Sequence, residues 1–240
     1  MAMPVLTETQ IKEGYFDIIG GFPAGKSVVQ ELKDYKGEER LCIACTQLPS
    51  QIDTEIFGVK GYSEREKRII LDEWIDFLQT NTKTLKALHF NSHVSQKLFN
   101  AACCQENLEE LRFKWGAYSD LSALENLKKL KFLYIGSGAS VRDITVLGKL
   151  KTLVVLYIEN FKRIEDYFPL TALDKVEQLV ISGPTLGYTP IKDYEFLCEM
   201  ENLLSAWFPN TTIRKKYTSK EFAELYARLP NLRFIYDGGL

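Results

Sequence analysis

Apolar residues recur in the second half of the chain in a fixed arrangement, LxxLxxLxI, in which x is any residue. The arrangement occupies residues 127–135, 150–158 and 173–181, and each copy begins 23 residues after the previous one. Its apolar positions are Leu127, Leu130, Leu133, Ile135, then Leu150, Leu153, Leu156, Ile158, and then Leu173, Val176, Leu179, Ile181. Self-similarity at a constant offset predicts a protein built from stacked structural units.

Less regular copies extend the series in both directions. Their apolar positions are Leu85, Leu88, Phe90, then Leu108, Leu111, Phe113, then Met200, Leu203, Ala206, Phe208, and finally Leu229, Leu232, Ile235. Asp237 takes the second strand position of the last unit. The pattern therefore predicts seven units between about residue 84 and the C-terminus, the last two with longer spacers. We expect helices in those spacers at Ile191–Met200 and Ser219–Leu229, the second beginning with a capping box of Thr218 and Glu221.

The last two apolar positions of each unit are two residues apart, so in a strand both point to one face and the residue between them points to the other. One unit cannot bury its apolar face alone, whereas stacked units share a continuous core. The strands then form a parallel sheet, and each return segment crosses to the opposite side of the stack.

This pattern resembles the leucine-rich-repeat family, and within it the short bacterial, internalin-like class, over residues 84–240. The resemblance implies an α/β, right-handed solenoid with its parallel sheet on the concave face. It also implies a non-enzymatic scaffold that binds a macromolecule, and by this analogy the protein itself would be a bacterial effector or the partner that neutralises one. One feature departs from the family, which usually places Asn three residues after the second strand position. The residues at those positions are Gly116, Gly138, Phe161 and Pro184, so we expect the turns to be stabilised differently.

The first 83 residues are predicted to form an α/β N-terminal capping region, with the solenoid occupying 84–240. Ser63 and Glu66 form a capping-box pattern before apolar residues at helical spacing, which predicts a helix over 63–79. Laid across the first strand, this helix would cover the end of the stack. Leu41 and Ile43 have a repeat-like LxI form and predict a further, degenerate unit.

The residue between the two strand positions is predicted to face a partner on the concave side. Along the units it is His89, Arg112, Tyr134, Tyr157, Val180, Trp207 and Tyr236. Aromatic residues and Arg dominate binding hot spots. We therefore predict a protein or peptide site made of Arg112, Tyr134, Tyr157, Trp207 and Tyr236, together with Lys114 and Glu159 at the strand ends. The alternative is that Tyr and Trp occupy this face only because they favour strands.

A second functional hypothesis rests on Gly20–Ser27, which fits the phosphate-binding pattern GxxxxGK[ST]. The nucleotide-binding residues would be Gly20, Gly25, Lys26 and Ser27, and the segment Ser27–Tyr35 would form the helix that follows. The alternative is a simple Gly/Pro turn, since the flanking region is too short for the several βαβ units of a nucleotide-binding sheet.

No other pattern points to catalysis, a metal or a cofactor. Cys42 and Cys45 are three apart on a predicted strand and so face opposite sides, which disfavours a shared metal. His89 and His93 are the only histidines, and His89 falls on a predicted strand. We therefore predict no catalytic residues, no metal ligands and no cofactor.

Charge and cysteine content narrow the location and the partners. The net charge of −2 offers no general attraction for nucleic acid. Five cysteines, an odd number, fit a reducing compartment. We find no long apolar run and no export signal at the N-terminus, so we expect a cytoplasmic protein that contacts neither membrane nor nucleic acid. Removal of a signal, or export as an effector, is also compatible with this sequence. The C-terminal segment lacks a clear polar cap, so end-to-end oligomers are an open alternative that light scattering decides.

The two functional hypotheses differ in their response to nucleotide. If Gly20–Ser27 binds phosphate, then ATP or GTP with Mg²⁺ raises the melting temperature, and Lys26→Ala abolishes the rise. If the segment is a turn, neither nucleotide shifts the melting temperature and Lys26→Ala has no effect on it. A thermal-shift assay separates the two outcomes.

Overall fold

The computed structural model describes residues 27–44, 62–229, 231 and 234–237. The described chain is organised around one nine-stranded sheet in which the strands lie side by side in chain order and all described pairings are parallel. Its strands are β1 (Ser27–Val29), β2 (Arg40–Ile43), β3 (Ala87–Phe90), β5 (Glu110–Phe113), β7 (Phe132–Ile135), β8 (Val155–Glu159), β9 (Gln178–Ser182), β11 (Ser205–Phe208) and β13 (Phe234–Asp237). Parallel neighbours in chain order are the arrangement expected of a solenoid.

Two small parallel sheets lie beside the large one. One pairs β4 (Val94–Ser95) with β6 (Gly116–Ala117), and the other pairs β10 (Thr189–Ile191) with β12 (Thr211–Ile213). Each extends the contact between two repeats just beyond the end of a main strand.

The strand register confirms the repeat read from the sequence. Leu111 pairs with Leu133, Leu133 with Leu156, and Leu156 with Leu179, so equivalent positions of successive repeats lie side by side. These leucines are fully buried in one continuous apolar core. The two C-terminal steps are longer, as predicted, yet Ala206 still pairs in register with Leu179.

The turns after the strands explain how the fold manages without the expected Asn. Ser137, Asn160 and Asn210 each lie two residues after a strand's second core position and have left-handed φ of 59°, 66° and 54°. Asn favours this conformation more than most residues. Gly136 and Gly183 allow the close approach of the neighbouring repeat. A Cβ at Gly136 would overlap the carbonyl oxygen of Lys114, and a Cβ at Gly183 would overlap that of Asn210.

Polar side chains join neighbouring repeats at the edge of the sheet where the chain enters each strand. The side-chain amides of Asn107, Asn202 and Asn231 each donate to a backbone carbonyl of the preceding repeat, at 2.8, 2.6 and 2.8 Å. The hydroxyl of Thr152 donates to the Leu130 carbonyl oxygen at 2.7 Å. Polar side chains therefore do link neighbouring backbones, but at the edge where the chain enters each strand.

The return segments are mostly 3₁₀ helices, which suit short crossovers. They are Ser122–Asn126, Leu147–Lys149, Phe168–Ala172 and Glu195–Glu199. The predicted helix at Ile191–Met200 was therefore wrong in type, since only a single 3₁₀ turn forms there. The helix predicted at Ser219–Leu229 is confirmed as α3 (Ser219–Ala227), and the Thr218 and Glu221 capping box is present.

The helix predicted over 63–79 is present as α1 (Glu64–Thr80), with the Ser63 and Glu66 capping box formed. Its buried face includes Trp74, whose indole N–H donates to the Gln30 carbonyl oxygen at 2.8 Å. The predicted position of this helix, across the first strand at the end of the stack, was wrong. The helix packs beside α2 (Gln96–Ala102), in the layer of return segments, because its apolar face joins the same core as the repeats.

The degenerate strand predicted at Leu41 and Ile43 is confirmed as β2, which pairs directly with β3 in register. β1 lies on its other side and forms the first strand of the sheet. The described part of the sheet thus continues on both sides of residue 84. The division into a capping region at 1–83 and a solenoid at 84–240 stays a prediction.

The close contact at Gly136 gives a test of the repeat packing. Gly136→Ala should lower the free energy of unfolding by about 1–3 kcal/mol, because the methyl group must push the Lys114 backbone away. The adjacent Ser137→Gly is the control, since glycine adopts a left-handed φ without cost. Urea unfolding of both variants measures the difference. Equal stability of Gly136→Ala and the parent protein would show that the repeats do not pack this closely.

Candidate functional site

The sheet has a second face, opposite the core, which we call the outer face. Its central line follows the register from Cys42 through His89, Arg112, Tyr134, Tyr157 and Val180 to Trp207. These are the residues that sequence analysis placed on the partner side, and the structure brings them together on adjacent strands. Tyr236 continues the line in register beside Trp207 on β13.

Three members of this line stack on one another. The guanidinium carbon of Arg112 lies 5.1 Å from the centroid of the Tyr134 ring. Tyr134 and Tyr157 are nearly parallel, with ring centroids 4.3 Å apart and an angle of 18° between the ring planes. The strand spacing of about 4.8 Å suits this stack, because parallel rings in contact have their centroids at a similar separation.

Hydrogen bonds fix the tyrosines further. The Tyr134 hydroxyl donates to Oε2 of Glu159, on the neighbouring strand β8, at 2.5 Å. Burial raises the pKa of Tyr134 well above its ordinary value, and the nearby Tyr157 and Glu159 add to the rise. Burial likewise raises the pKa of Tyr157. Both phenols therefore stay neutral around pH 7 and act as hydrogen-bonding groups without charge.

Exposure separates the predicted site residues into two groups. Tyr134 and Val180 are 2% and 1% exposed, and together with Phe132 and Val155 they form a second apolar cluster on the outer face. Arg112, Tyr157, Trp207 and Glu159 are half-buried, and Lys114 is exposed. A partner can therefore touch the second group, whereas Tyr134 supports it from below.

A buried ionic cluster lies next to the stack and was missed in the sequence. Nε2 of His89 is 2.5 Å from Oε1 of Glu110, and Nη2 of Arg40 is 2.7 Å from the other oxygen of the same carboxylate. The Glu110 side chain is only 1% exposed. A buried carboxylate needs such partners because desolvation would otherwise neutralise it. Glu110 could have been found from its position two residues before Arg112 in the same strand, since residues two apart share a face.

The residues of the nucleotide hypothesis lie largely outside the described part of the chain. Gly20, Gly25 and Lys26 are not described. Ser27 begins strand β1, so the predicted helix over Ser27–Tyr35 was wrong, and only a 3₁₀ turn at Leu32–Asp34 follows. A phosphate-binding loop of this type leads into a helix whose N-terminus faces the phosphates, and no helix begins there.

The cysteines of the described residues do not converge on a site. Cys42 is buried on the outer face, while Cys45 lies outside the described residues. Burial raises the pKa of the Cys103 thiol, which disfavours the reactive thiolate. Across residues 27–44 and from 62 onward as described, no group of three or more His, Cys, Asp and Glu side chains is arranged to hold a metal ion.

Comparison with known proteins gives matches among solved structures alone. No protein-family model matches the sequence, and no curated protein matches it. Internalin C2 of Listeria monocytogenes aligns with 69% of this chain and 68% of its own, at 21% identity and a TM-score of 0.48. An internalin of the same organism, inlF, aligns with 68% of this chain and 59% of its own, at 20% identity and a TM-score of 0.44. A leucine-rich-repeat protein of Leptospira interrogans aligns with 64% and 49%, at 16% identity and a TM-score of 0.44.

None of the helices in the described part of the chain is long and apolar enough to cross a membrane.

The assignment of the fold rests on the molecule's own repeat and register. Successive repeats each contribute one parallel strand, pair at equivalent positions and share one core. By its own repeat and register, the described part of the chain has the architecture of a leucine-rich-repeat solenoid.

Proposed function

We propose that the protein is a non-enzymatic scaffold that binds a protein or peptide partner through the outer face of its sheet. The observation that carries the proposal is the stack of Arg112, Tyr134 and Tyr157 on three consecutive strands, with Trp207 two strands beyond Tyr157. Tyr, Trp and Arg are the residues that most often supply binding energy when a partner covers them.

The rigidity of this surface favours binding. Each ring is fixed by its neighbour, and Tyr134 is also held by Glu159, so the side chains lose little conformational freedom when a partner arrives. The conformational entropy of these side chains is lost when the protein folds and not when the partner binds. Binding energy from the half-buried rings of Tyr157 and Trp207 then appears as affinity.

The size of the face suits a polypeptide. The nine strands of the sheet, at about 4.8 Å spacing, span roughly 38 Å, which is enough for an extended peptide or a patch of a folded protein. Lys114 and Glu159 stand at the ends of β5 and β8 with opposite charges. Unlike charges at separate points of a surface favour one orientation of the partner over the reverse.

Removing the two accessible aromatic residues tests the proposal. Tyr157→Ala with Trp207→Ala should leave the melting temperature within a few degrees, because neither side chain belongs to the main core. Binding of a partner isolated by affinity capture and then purified should weaken by roughly thirtyfold or more. Isothermal titration calorimetry of the purified pair gives the dissociation constants.

A matched control removes two aromatic residues from other surfaces. Phe168 is 60% exposed in a return segment, and Tyr226 is 41% exposed on α3. Phe168→Ala with Tyr226→Ala should leave the dissociation constant unchanged. If both double variants bind as well as the parent protein, or if only the control loses binding, the partner does not use the outer face.

A further inference from the structure

The loops that leave the strands carry a cluster of exposed side chains that, apart from Lys114, do not belong to the proposed site on the outer face. Lys114 and Trp115 follow β5, Lys162 and Arg163 follow β8, and the segment 185–188 follows β9. We call this region the loop edge. Its members lie at the ends of neighbouring strands, since the sheet order there is β5, β7, β8 and β9.

The loop edge is continuous. Three strand spacings separate β5 from β9, or about 14 Å. Between them β7 contributes Gly136, Ser137 and Gly138, which have little or no side chain. The turn after β7 therefore places no large side chain between Lys114 and Trp115 on one side and Lys162 and Arg163 on the other.

The cations of the loop edge are not neutralised by neighbouring repeats. Within the described ranges, no carboxylate lies within 4.0 Å of the charged nitrogens of Lys114, Lys162 or Arg163. Inter-repeat ion pairs form at both edges of the sheet. In the exit loops Glu165 lies 2.8 Å from Arg214 and Asp166 lies 3.3 Å from Lys192, so these two acids pair with cations of later repeats and not with Lys162 or Arg163. At the opposite edge, where the chain enters the strands, similar pairs form. Lys149 lies 2.9 Å from Glu125, and Lys131 lies 3.3 Å from Glu109. The loop edge therefore presents positive charge on a protein whose net charge is −2.

The same edge exposes large apolar side chains. Leu186 is 90% exposed and Tyr188 is 67% exposed. Trp115 is 40% exposed, with Nζ of Lys114 5.9 Å from the centre of its ring. Three of the seven exposed large apolar residues among those described thus lie at two strand ends of the loop edge, after β5 and after β9, and grouped exposure of this kind marks interaction sites.

The exposure of Leu186 is built into the fold. At the base of its loop, the N–H of Gly183 donates to the Pro209 carbonyl oxygen at 2.8 Å, and the N–H of Thr189 donates to the Asn210 carbonyl oxygen at 3.0 Å. Gly187, with φ of 116°, turns the chain between these anchors. The loop is therefore held at both ends while its apolar tip points into solvent.

We propose that the loop edge binds an acidic segment of a polypeptide that also carries large apolar side chains. Carboxylates would neutralise Lys114, Lys162 and Arg163, and apolar side chains would cover Trp115 and Leu186. Attraction between unlike charges speeds the encounter, and burial of the apolar groups supplies affinity. The proposal rests on the proposed function in taking the ligand to be a polypeptide, but apart from Lys114 different residues carry it.

A defined probe tests the proposal without knowledge of the natural partner. The probe is a fluorescein-labelled synthetic peptide in which Glu and Asp alternate with Leu and Trp, and its binding is measured by fluorescence anisotropy. It should bind the parent protein, and binding should weaken as salt rises. Lys114→Glu with Lys162→Glu and Arg163→Glu should weaken binding by roughly tenfold or more, and Leu186→Ser should weaken it as well.

The control variant reverses charges elsewhere. Lys128 and Lys175 are exposed near the opposite edge, and neither makes an ion pair with another described residue. Lys128→Glu with Lys175→Glu should leave probe binding within twofold of the parent protein. Circular dichroism and thermal melting check that every variant is folded. Should the triple variant fail to fold, Lys162→Gln with Arg163→Gln replaces it, with a smaller loss of the same sign expected.

Three outcomes would overturn the proposal: no probe binding, equal binding of a peptide with Lys in place of its acids, or unchanged binding by the triple variant. Tighter binding to a single-stranded oligonucleotide or to anionic vesicles than to the acidic peptide would also overturn it, because the charge would then serve another class of ligand. The variant with Tyr157→Ala and Trp207→Ala distinguishes the two sites. It should still bind the acidic probe even if the proposed outer-face site is wrong.

Discussion

Burial of the paired strand residues between neighbouring repeats is the constraint on which the rest of the molecule depends. Leu133 and Ile135 are fully buried, but only because the equivalent residues of the repeats on either side lie against them. A single repeat would leave both exposed to water. Stacking therefore fixes the strand register, and the register in turn fixes the position of every side chain on the other face of the sheet.

The outer face follows from that constraint. Strands held at about 4.8 Å by their backbone hydrogen bonds bring side chains of equal register into contact. Tyr134 and Tyr157 stack for this reason, and Arg112 extends the stack to a third strand. The same spacing places Glu110 beside His89, so the charge of a buried carboxylate is balanced across strands. Both arrangements are consequences of register combined with the choice of outer-face residues. The stack uses one position in each repeat, whereas the pair of His89 and Glu110 uses two positions that lie two residues apart.

The sequence predicted the features that depend on the repeat period, but few of those that depend on the solvent exposure of individual side chains. The pairing of Leu111 with Leu133, the line of outer-face residues and both capping boxes followed from spacing alone. The position of α1 did not, because an amphipathic helix indicates only that one side is buried and not what buries it. The burial of Tyr134 and Val180 was also unpredictable, since it depends on neighbours in three dimensions. At the turns, the sequence analysis considered the position three residues after the second strand position, whereas the left-handed residues Ser137 and Asn160 lie two residues after it.

Ion pairs between repeats decide which charges at the two edges of the sheet stay available to a ligand. Where the chain enters the strands, Lys and Glu of neighbouring repeats lie side by side, and pairs such as Lys149 with Glu125 form between them. Exposed pairs of this kind add little to stability, but they reduce the charge that the paired residues present to a ligand. Where the chain leaves the strands, Lys162 and Arg163 have no such carboxylate among the described residues, and the loop carrying Leu186 is anchored at its base. A repeat protein can neutralise charge by placing an acid one repeat away, and in these exit loops Asp166 does so for Lys192. Three cations left without such an acid, together with the exposed apolar side chains on neighbouring strand ends, are what a ligand-binding surface requires and a purely structural edge does not.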